Sequence, residues 1–168
     1  MTDTVPGRVE TAGPADPRDV PGLFAHRHTS DVRFADTDAM GHVNNAVFLT
    51  YCESARVAYW AAVTGEPIER RPGRAESLIL ADAAIAFRAQ IHHGERVTVE
   101  TRVDRIGRTS LTMTHRLTAA SSEGPSRLVA TCRTVIVRYD YVREVPAVID
   151  DQLASALEAF EGRALREG

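Results

Sequence analysis

Residues 32–60 read VRFADTDAMGHVNNAVFLTYCESARVAYW, and within them the spacing of the apolar residues changes from one pattern to another. Apolar and charged residues alternate up to Phe34, which predicts a strand with Val32 and Phe34 on one face. From about Val43 to Ala62 the apolar residues recur instead at helical steps, which predicts a long helix with one face in the core. The loop between the two elements carries two aspartates, a glycine and a histidine. We therefore expect a polar, chemically capable loop where a strand meets a helix.

The predicted helix carries stop and start signals at its two ends. Asn44 or Asn45 can accept a backbone N–H of the first turn through its side chain. Gly65 and Pro67 interrupt the helical pattern at the other end. The polar loop therefore lies directly at the N-terminus of the helix.

Four more strands and a second helix are predicted downstream. The apolar spacing indicates strands near 79–87, 97–103, 111–117 and 127–141 and a helix near 148–165. In the first of these strands, one face is predicted to hold Ile79, Ala81, Ala83, Ile85 and Phe87. The strand over 127–141 is apolar on both faces, which is typical of a strand inside a sheet. This order predicts an α+β fold in which an antiparallel sheet packs on one long helix and its uncovered edge favours a dimer.

The composition fits one ordinary globular domain. The chain has 168 residues, of which 43% are hydrophobic and 26% charged. Its net charge of -3 excludes a partner chosen by bulk charge, such as nucleic acid or an anionic membrane. It contains no apolar run long enough for a membrane span. We predict a flexible leader over 1–26, a single domain over 27–168 and, without an apolar signal segment, a cytoplasmic location.

The opening stretch resembles the signature of the hotdog-fold thioesterases of the hydroxybenzoyl-CoA thioesterase superfamily. In that family a strand leads to Asp-x-Asp-x-x-Gly-His-Val-Asn-Asn and then to a helix with Glu-x-Ala-Arg. The matching residues are Asp36, Asp38, Gly41, His42, Val43, Asn44, Asn45, Phe48, Glu53, Ala55 and Arg56. Residues 87–117 are similar to the family's later strand-turn-strand run. The resemblance implies a hotdog fold, an antiparallel sheet wrapped around a long central helix, assembled as a homodimer or homotetramer.

The activity that the resemblance implies is hydrolysis of an acyl-CoA or acyl-carrier-protein thioester at a subunit interface. Asp38 is then the general base or the nucleophile. Backbone N–H groups between Gly41 and Asn45, at the positive end of the helix dipole, are candidates for the oxyanion hole. The reaction needs no cofactor and no metal ion.

Two further side chains complete the predicted catalytic set. His42 and Asn44 could polarise the attacking water, orient Asp38 or hydrogen-bond the carbonyl. In related plant thioesterases with the same His-Val-Asn-Asn run the histidine is implicated in function, although those enzymes carry asparagine where this chain has Met40. The predicted substrate-binding residues are Gly41, Val43, Asn45, Phe48, Glu53, Arg88 and Arg108.

Structural roles compete with each of these assignments. Aspartate and asparagine are ordinary turn and cap residues, and Asp36 is expected to hold the loop by accepting backbone N–H groups. Glu53 is expected first to pair with Arg56 at i, i+3. The arginines are otherwise solvated surface, whereas in the functional interpretation Arg88 and Arg108 bind the phosphates of CoA.

A second function class stays open at this point. A hotdog module can bind acyl thioesters without turnover, as a sensor or as a partner-binding subunit, because a fold does not determine an activity. Asp38 favours the enzyme. A hotdog hydratase is disfavoured because this loop does not resemble the Asp/His arrangement of hydratases.

Overall fold

The computed structural model describes residues 24–66, 68, 76–122 and 124–166, which contain six strands and two α-helices. In chain order they are β1 (His26–Asp31), α1 (Asn45–Thr64), β2 (Glu76–Phe87), β3 (Arg96–Ile106), β4 (Ser110–Ala120), β5 (Arg127–Asp140), β6 (Val145–Pro146) and α2 (Asp151–Glu161). The predicted leader lies almost wholly outside these residues and stays a prediction.

All strand pairs in the sheet are antiparallel, in the order β1-β3-β4-β5-β2, with the short β6 beside β5. β5, with 14 residues, lies between β4 and β2, as its two apolar faces predict. Helix α1 packs over β1 and β3. The α+β layout and the hotdog arrangement are therefore confirmed.

Helix α1 begins and ends at the predicted caps. The Asn44 side chain accepts a hydrogen bond from Ala46 N–H at 2.9 Å, and Gly65 closes the helix with a φ of 72°. The buried residues of its core-facing stripe are Phe48, Tyr51, Cys52, Ala55 and Tyr59. The helix starts two residues later than predicted because Val43 N–H donates to Ile91 O at 2.8 Å instead of entering the helical ladder.

The predicted pairing of Val32 and Phe34 on one strand face is wrong. Strand β1 ends at Asp31, and a short 3-10 turn occupies Phe34–Asp36. The turn forms because Asp36 accepts the backbone N–H of Arg33 at 2.9 Å. Val32 consequently stays buried while the Phe34 side chain is 80% exposed.

The prediction for β2 also needs correction. Its pairing with β5 shifts by one residue between Leu80 and Asp82, which marks a bulge at Ala81. Directly paired residues share a face, so Leu80 and Ile85 both lie on the side of the sheet that carries α1, like their partners on β5. Ile79 turns to the opposite side, because a bulge reverses the alternation.

The middle of β2 is open. Residues 79–84 are exposed, and among the described residues β2 pairs with β5 alone. The described helices include none that is long and apolar enough to cross a membrane. An unpaired edge of this length is a surface on which a further strand can add.

Candidate active site

Asp36 holds the loop in place. Its carboxylate is 1% exposed and accepts hydrogen bonds from Arg33 Nη2 at 2.6 Å and from the Tyr51 hydroxyl at 3.0 Å. These bonds, the one from the Arg33 guanidinium first, keep the pKa of Asp36 below its ordinary value despite burial. All of its acceptor capacity serves the protein, so Asp36 has the structural role that the sequence predicts.

Asp38 lies two residues further along the chain, and its carboxylate makes different hydrogen bonds. Its Oδ1 accepts the backbone N–H of Met40 at 2.8 Å, which closes a turn, and its side chain is 27% exposed. Oδ2 lies 3.8 Å from His42 Nδ1, too far for a hydrogen bond. One carboxylate oxygen is thus anchored, and the other has no hydrogen-bond partner among the described residues.

His42 lies beside Asp38 on the same turn. The Asp38 N–H donates to His42 O at 2.9 Å, so the two backbones are tied together. The imidazole is half-buried, and its Nδ1 is 3.4 Å from Val43 O. The structure therefore brings His42 and Asp38 to one site without engaging either side chain fully.

Two backbone N–H groups at the start of α1 are unoccupied within the described residues, those of His42 and Asn45. Three neighbouring N–H groups already donate to backbone carbonyl oxygens at 2.8–3.0 Å: Gly41, Val43 and Asn44. Asn45 is the first residue of the helix, where the N–H lacks an intrahelical acceptor and the dipole is positive. The predicted run of five donors is thus reduced to two.

Gly41 shapes this turn. Its φ is +80°, a backbone conformation that residues other than glycine rarely adopt. The N–H of Gly41 donates to Asp38 O at 3.0 Å and so closes the turn that holds the carboxylate. Gly41 acts through backbone geometry.

The apolar substrate-binding candidates lie next to the turn. Val43 is buried and fastens the loop to Ile91. Phe48 is buried in the first turns of α1, with its ring centre 5.1 Å from that of Phe87. Phe87 was not among the predicted site residues; its place at the end of an exposed strand facing the helix is visible only in the fold.

The charged residues predicted to bind substrate lie in different parts of the structure. Arg88 is exposed and directly follows Phe87, the last residue of β2. Glu53 is 64% exposed and lies 3.3 Å from Arg56, as the i, i+3 spacing predicts. Arg108 lies in the turn after β3, at the other end of the sheet from Asp38. Within one chain Arg108 therefore lies away from Asp38, whereas Arg88 lies at the end of the sheet where β2 ends.

Sequence reasoning missed the two residues that make Asp36 structural, Arg33 and Tyr51. The signal was present for Tyr51, since a tyrosine in a buried helical stripe needs a partner for its hydroxyl. Burial and the bond to Asp36 raise the Tyr51 pKa well above its ordinary value, so the hydroxyl stays a donor. No three histidine, cysteine or acidic side chains converge as a metal site in the described parts of the chain.

Comparisons with known proteins show the family of this chain. A model of the thioesterase-like superfamily matches residues 32–157. A thioesterase from Thermus thermophilus, crystallised with coenzyme A and Zn, is 35% identical, and the match covers 86% of this chain and 99% of that one with a TM-score of 0.72. A search of curated proteins finds no match.

Two more distant structures share the fold. A 1,4-dihydroxy-2-naphthoyl-CoA thioesterase from Synechocystis is 22% identical, covering 79% of this chain and 94% of that one with a TM-score of 0.67. The 4-hydroxybenzoyl-CoA thioesterase from Pseudomonas sp. strain CBS-3 is 16% identical, covering 77% and 96% with a TM-score of 0.68. Because the family model spans well over half of the residues and the polar loop falls within it, the chain belongs to the thioesterase-like superfamily.

Proposed function

We propose that the protein hydrolyses acyl-CoA thioesters, with Asp38 as the group that delivers the attacking oxygen. The observation that carries the proposal is the contrast between the two aspartates. Asp36 is saturated by Arg33 and Tyr51, whereas Asp38 keeps one oxygen free at the N-terminus of α1. A carboxylate that the fold does not consume, beside unoccupied N–H groups, suits acyl transfer.

The chemistry follows from the two kinds of group. Oδ2 of Asp38 takes a proton from water as that water attacks the thioester carbon, or attacks the carbon itself to give a mixed anhydride that water then opens. Negative charge develops on the carbonyl oxygen, and the N–H groups of His42 and Asn45 receive it. The thiolate leaves readily because an ordinary thiol has a pKa of about 8.5.

His42 and Asn44 have supporting roles in the proposal. His42 Nδ1, 3.8 Å from Asp38 Oδ2, is spaced so that a water between them can bond both. Asn44 caps α1 and so fixes the direction of the free N–H of the next residue. Both act on the position of the reacting atoms.

Coenzyme A is the carrier that the proposal favours over a carrier protein. The Thermus relative was crystallised with coenzyme A. The exposed Arg88 has no ion-pair partner in the described chain and directly follows Phe87, whose ring packs on Phe48 of α1, so we assign its guanidinium to a phosphate of the carrier. Arg108 could reach such a ligand only from another copy of the chain.

A homodimer is part of the proposal. Large apolar side chains are exposed around the loop and along β2: Phe34, Met40, Leu49, Leu80 and Phe87. Together with the unpaired edge of β2, they form a surface that a second copy would cover. Pairing of two β2 edges about a two-fold axis would both cover the apolar side chains and satisfy the unpaired edge. Two such dimers would make the tetramer.

The test is thiol release from acyl-CoAs of several chain lengths and aryl types, with Asp38→Asn measured beside the wild type. Asparagine keeps the Oδ1 that accepts the Met40 N–H, so the turn is preserved while the base is lost. Asp31→Asn is the matched control, because Asp31 is 81% exposed on β1. We expect Asp38→Asn to lose about 10²-fold or more in kcat and Asp31→Asn to lose nothing. Full activity in Asp38→Asn would refute the assignment, and tight binding without turnover in the wild type would indicate a non-catalytic module.

A further inference from the structure

A cavity of about 560 Å³ lies at the other end of α1 from Asp38, between the helix end, the start of β2 and α2. Its apolar wall consists of Trp60, Val63, Leu78, Leu153 and Ala156. The volume lies within the 300–1,000 Å³ typical of small-molecule sites. We name it the α2 groove; the catalytic proposal assigns it no role.

The charges on its rim indicate which part of a thioester fits. Arg138 is the cation of the rim, and it is already bonded to Glu76 at 2.6 Å and to Asp150 at 2.7 Å. One cation against two carboxylates leaves the rim negative. Phosphates would be repelled there, whereas an uncharged hydrocarbon would bury its surface against the wall.

The geometry of β2 connects the groove to a second copy of the chain. Two antiparallel β2 edges that pair about a two-fold axis centred on the exposed stretch, between Ala81 and Asp82, place Leu80 opposite Ala83 and Leu78 opposite Ile85 of the second copy. The bulge at Ala81 puts all four of these side chains on the α1 side. The two helix-bearing faces therefore form one continuous surface.

This pairing brings the groove of one copy to the catalytic loop of the other. Paired strands lie about 4.8 Å apart, so Leu78 in the wall of the groove adjoins Ile85 of the second copy in this pairing. Ile85 is followed two residues later by Phe87, whose ring packs on Phe48 in the first turns of α1. An apolar path thus leads from the free N–H groups of one copy into the α2 groove of the other.

We propose that the α2 groove binds the acyl chain of the thioester held by Asp38 of the paired copy, and that Ala156 and Leu153 on α2 set the preferred chain length. The inference rests on the proposed thioesterase function and on pairing through β2. It predicts a medium-length or long aliphatic acyl group. Helix α2 is then a specificity element.

The test uses a series of S-alkyl-CoA thioethers from ethyl to dodecyl, which cannot be hydrolysed, with affinity measured by calorimetry. A buried methylene contributes about 0.8 kcal/mol, which is about fourfold in affinity per carbon until the groove is full. Ala156→Trp fills the groove and should end this increase at short chains, with a loss of at least tenfold for dodecyl-CoA. Ala156→Leu, a smaller filling, should give a smaller loss.

Ala159→Trp is the matched control, since residue 159 lies on the exposed face of α2. It should keep the wild-type increase, and thermal unfolding checks that all variants fold. Equal behaviour of Ala156→Trp and Ala159→Trp, or no dependence on chain length in the wild type, would overturn the inference. Thiol release from the matching acyl-CoAs is measured separately: its absence, with the chain-length dependence intact, would refute the hydrolase and leave the groove supported.

Discussion

The Tyr51 hydroxyl donates a hydrogen bond of 3.0 Å to Oδ2 of Asp36, across 15 residues of chain. This bond joins the second turn of α1 to the loop that precedes the helix. The Asp36 carboxylate also accepts hydrogen bonds from the guanidinium of Arg33. The motif therefore contains one aspartate, Asp36, whose carboxylate is taken up by Arg33 and Tyr51, and one, Asp38, with a single carboxylate oxygen bonded in the turn.

Tyr51→Phe should separate these two tasks. The variant removes a bond to a buried carboxylate, so the free energy of unfolding should fall by roughly 1.5–3 kcal/mol. Thiol release should fall less than tenfold, because Asp38 and the free N–H groups remain. Urea unfolding and steady-state kinetics measure the two quantities.

Tyr139→Phe is the control for that experiment. Its hydroxyl has no hydrogen-bond partner in the described residues, so its removal should cost under about 0.5 kcal/mol. Equal losses of stability in the two variants would show that the hydrogen bond from Tyr51 to Asp36 adds nothing to the free energy of unfolding.

Asn45→Pro should remove one of the two proposed oxyanion donors without disturbing the helix. Proline is favoured at the first helical position, and Asn44 already has the extended backbone, with φ -60° and ψ 137°, that a following proline requires. We expect kcat to fall about 10²–10³-fold with the stability nearly unchanged. Asn45→Ala keeps the N–H and should retain activity; similar kinetics in the two variants would exclude Asn45 as a donor.

The sequence predicts local features of this protein better than the partners of individual side chains. The caps Asn44 and Gly65 and the apolar stripe of α1 are predictable because periodicity and capping are local. The exposed Phe34 and the bulge at Ala81 are not, since the first depends on which carboxylate captures the Arg33 N–H and the second on register with β5. Turn chemistry predicts the structural role of Asp36, and the family resemblance is what singles out Asp38. The hydrogen bond from Tyr51 to Asp36 appears only when the helix is docked.

The open edge of β2 leads to a prediction about assembly. Leu80→Glu places a carboxylate in the proposed β2–β2 interface. Each buried, unpaired charge should weaken the free energy of dimerisation by roughly 3 kcal/mol. The dimer dissociation constant should rise a hundredfold or more, and activity should fall with it because each site would lose the face of the other copy. Val145→Glu is the control, since Val145 is similarly exposed (46% against 40%) but lies on β6. Light scattering that shows the same mass for both variants would contradict pairing through β2.

His115 gives a prediction about pH. It is fully buried between the hydroxyls of Thr101 at 3.0 Å and Thr134 at 3.1 Å. Burial first, and the nearby charge of Arg56 second, lower its pKa from 6.5 to about 3. The unfolded chain therefore takes up a proton at His115 between these two values while the folded chain does not. Stability should fall as the pH falls through this window, by up to about 1.4 kcal/mol per pH unit.

His115→Gln keeps an amide that can hydrogen-bond the hydroxyls of Thr101 and Thr134, and it removes the group that takes up the proton. Its stability at pH 7.5 should be lower than that of the wild type, but the further loss between pH 7.5 and pH 5.5 should shrink by roughly 1 kcal/mol. The same substitution at the exposed His93 is the matched control for the loss of one imidazole from the chain. Urea unfolding at the two pH values measures the difference, and parallel losses in His115→Gln and the wild type would show that His115 does not titrate with unfolding.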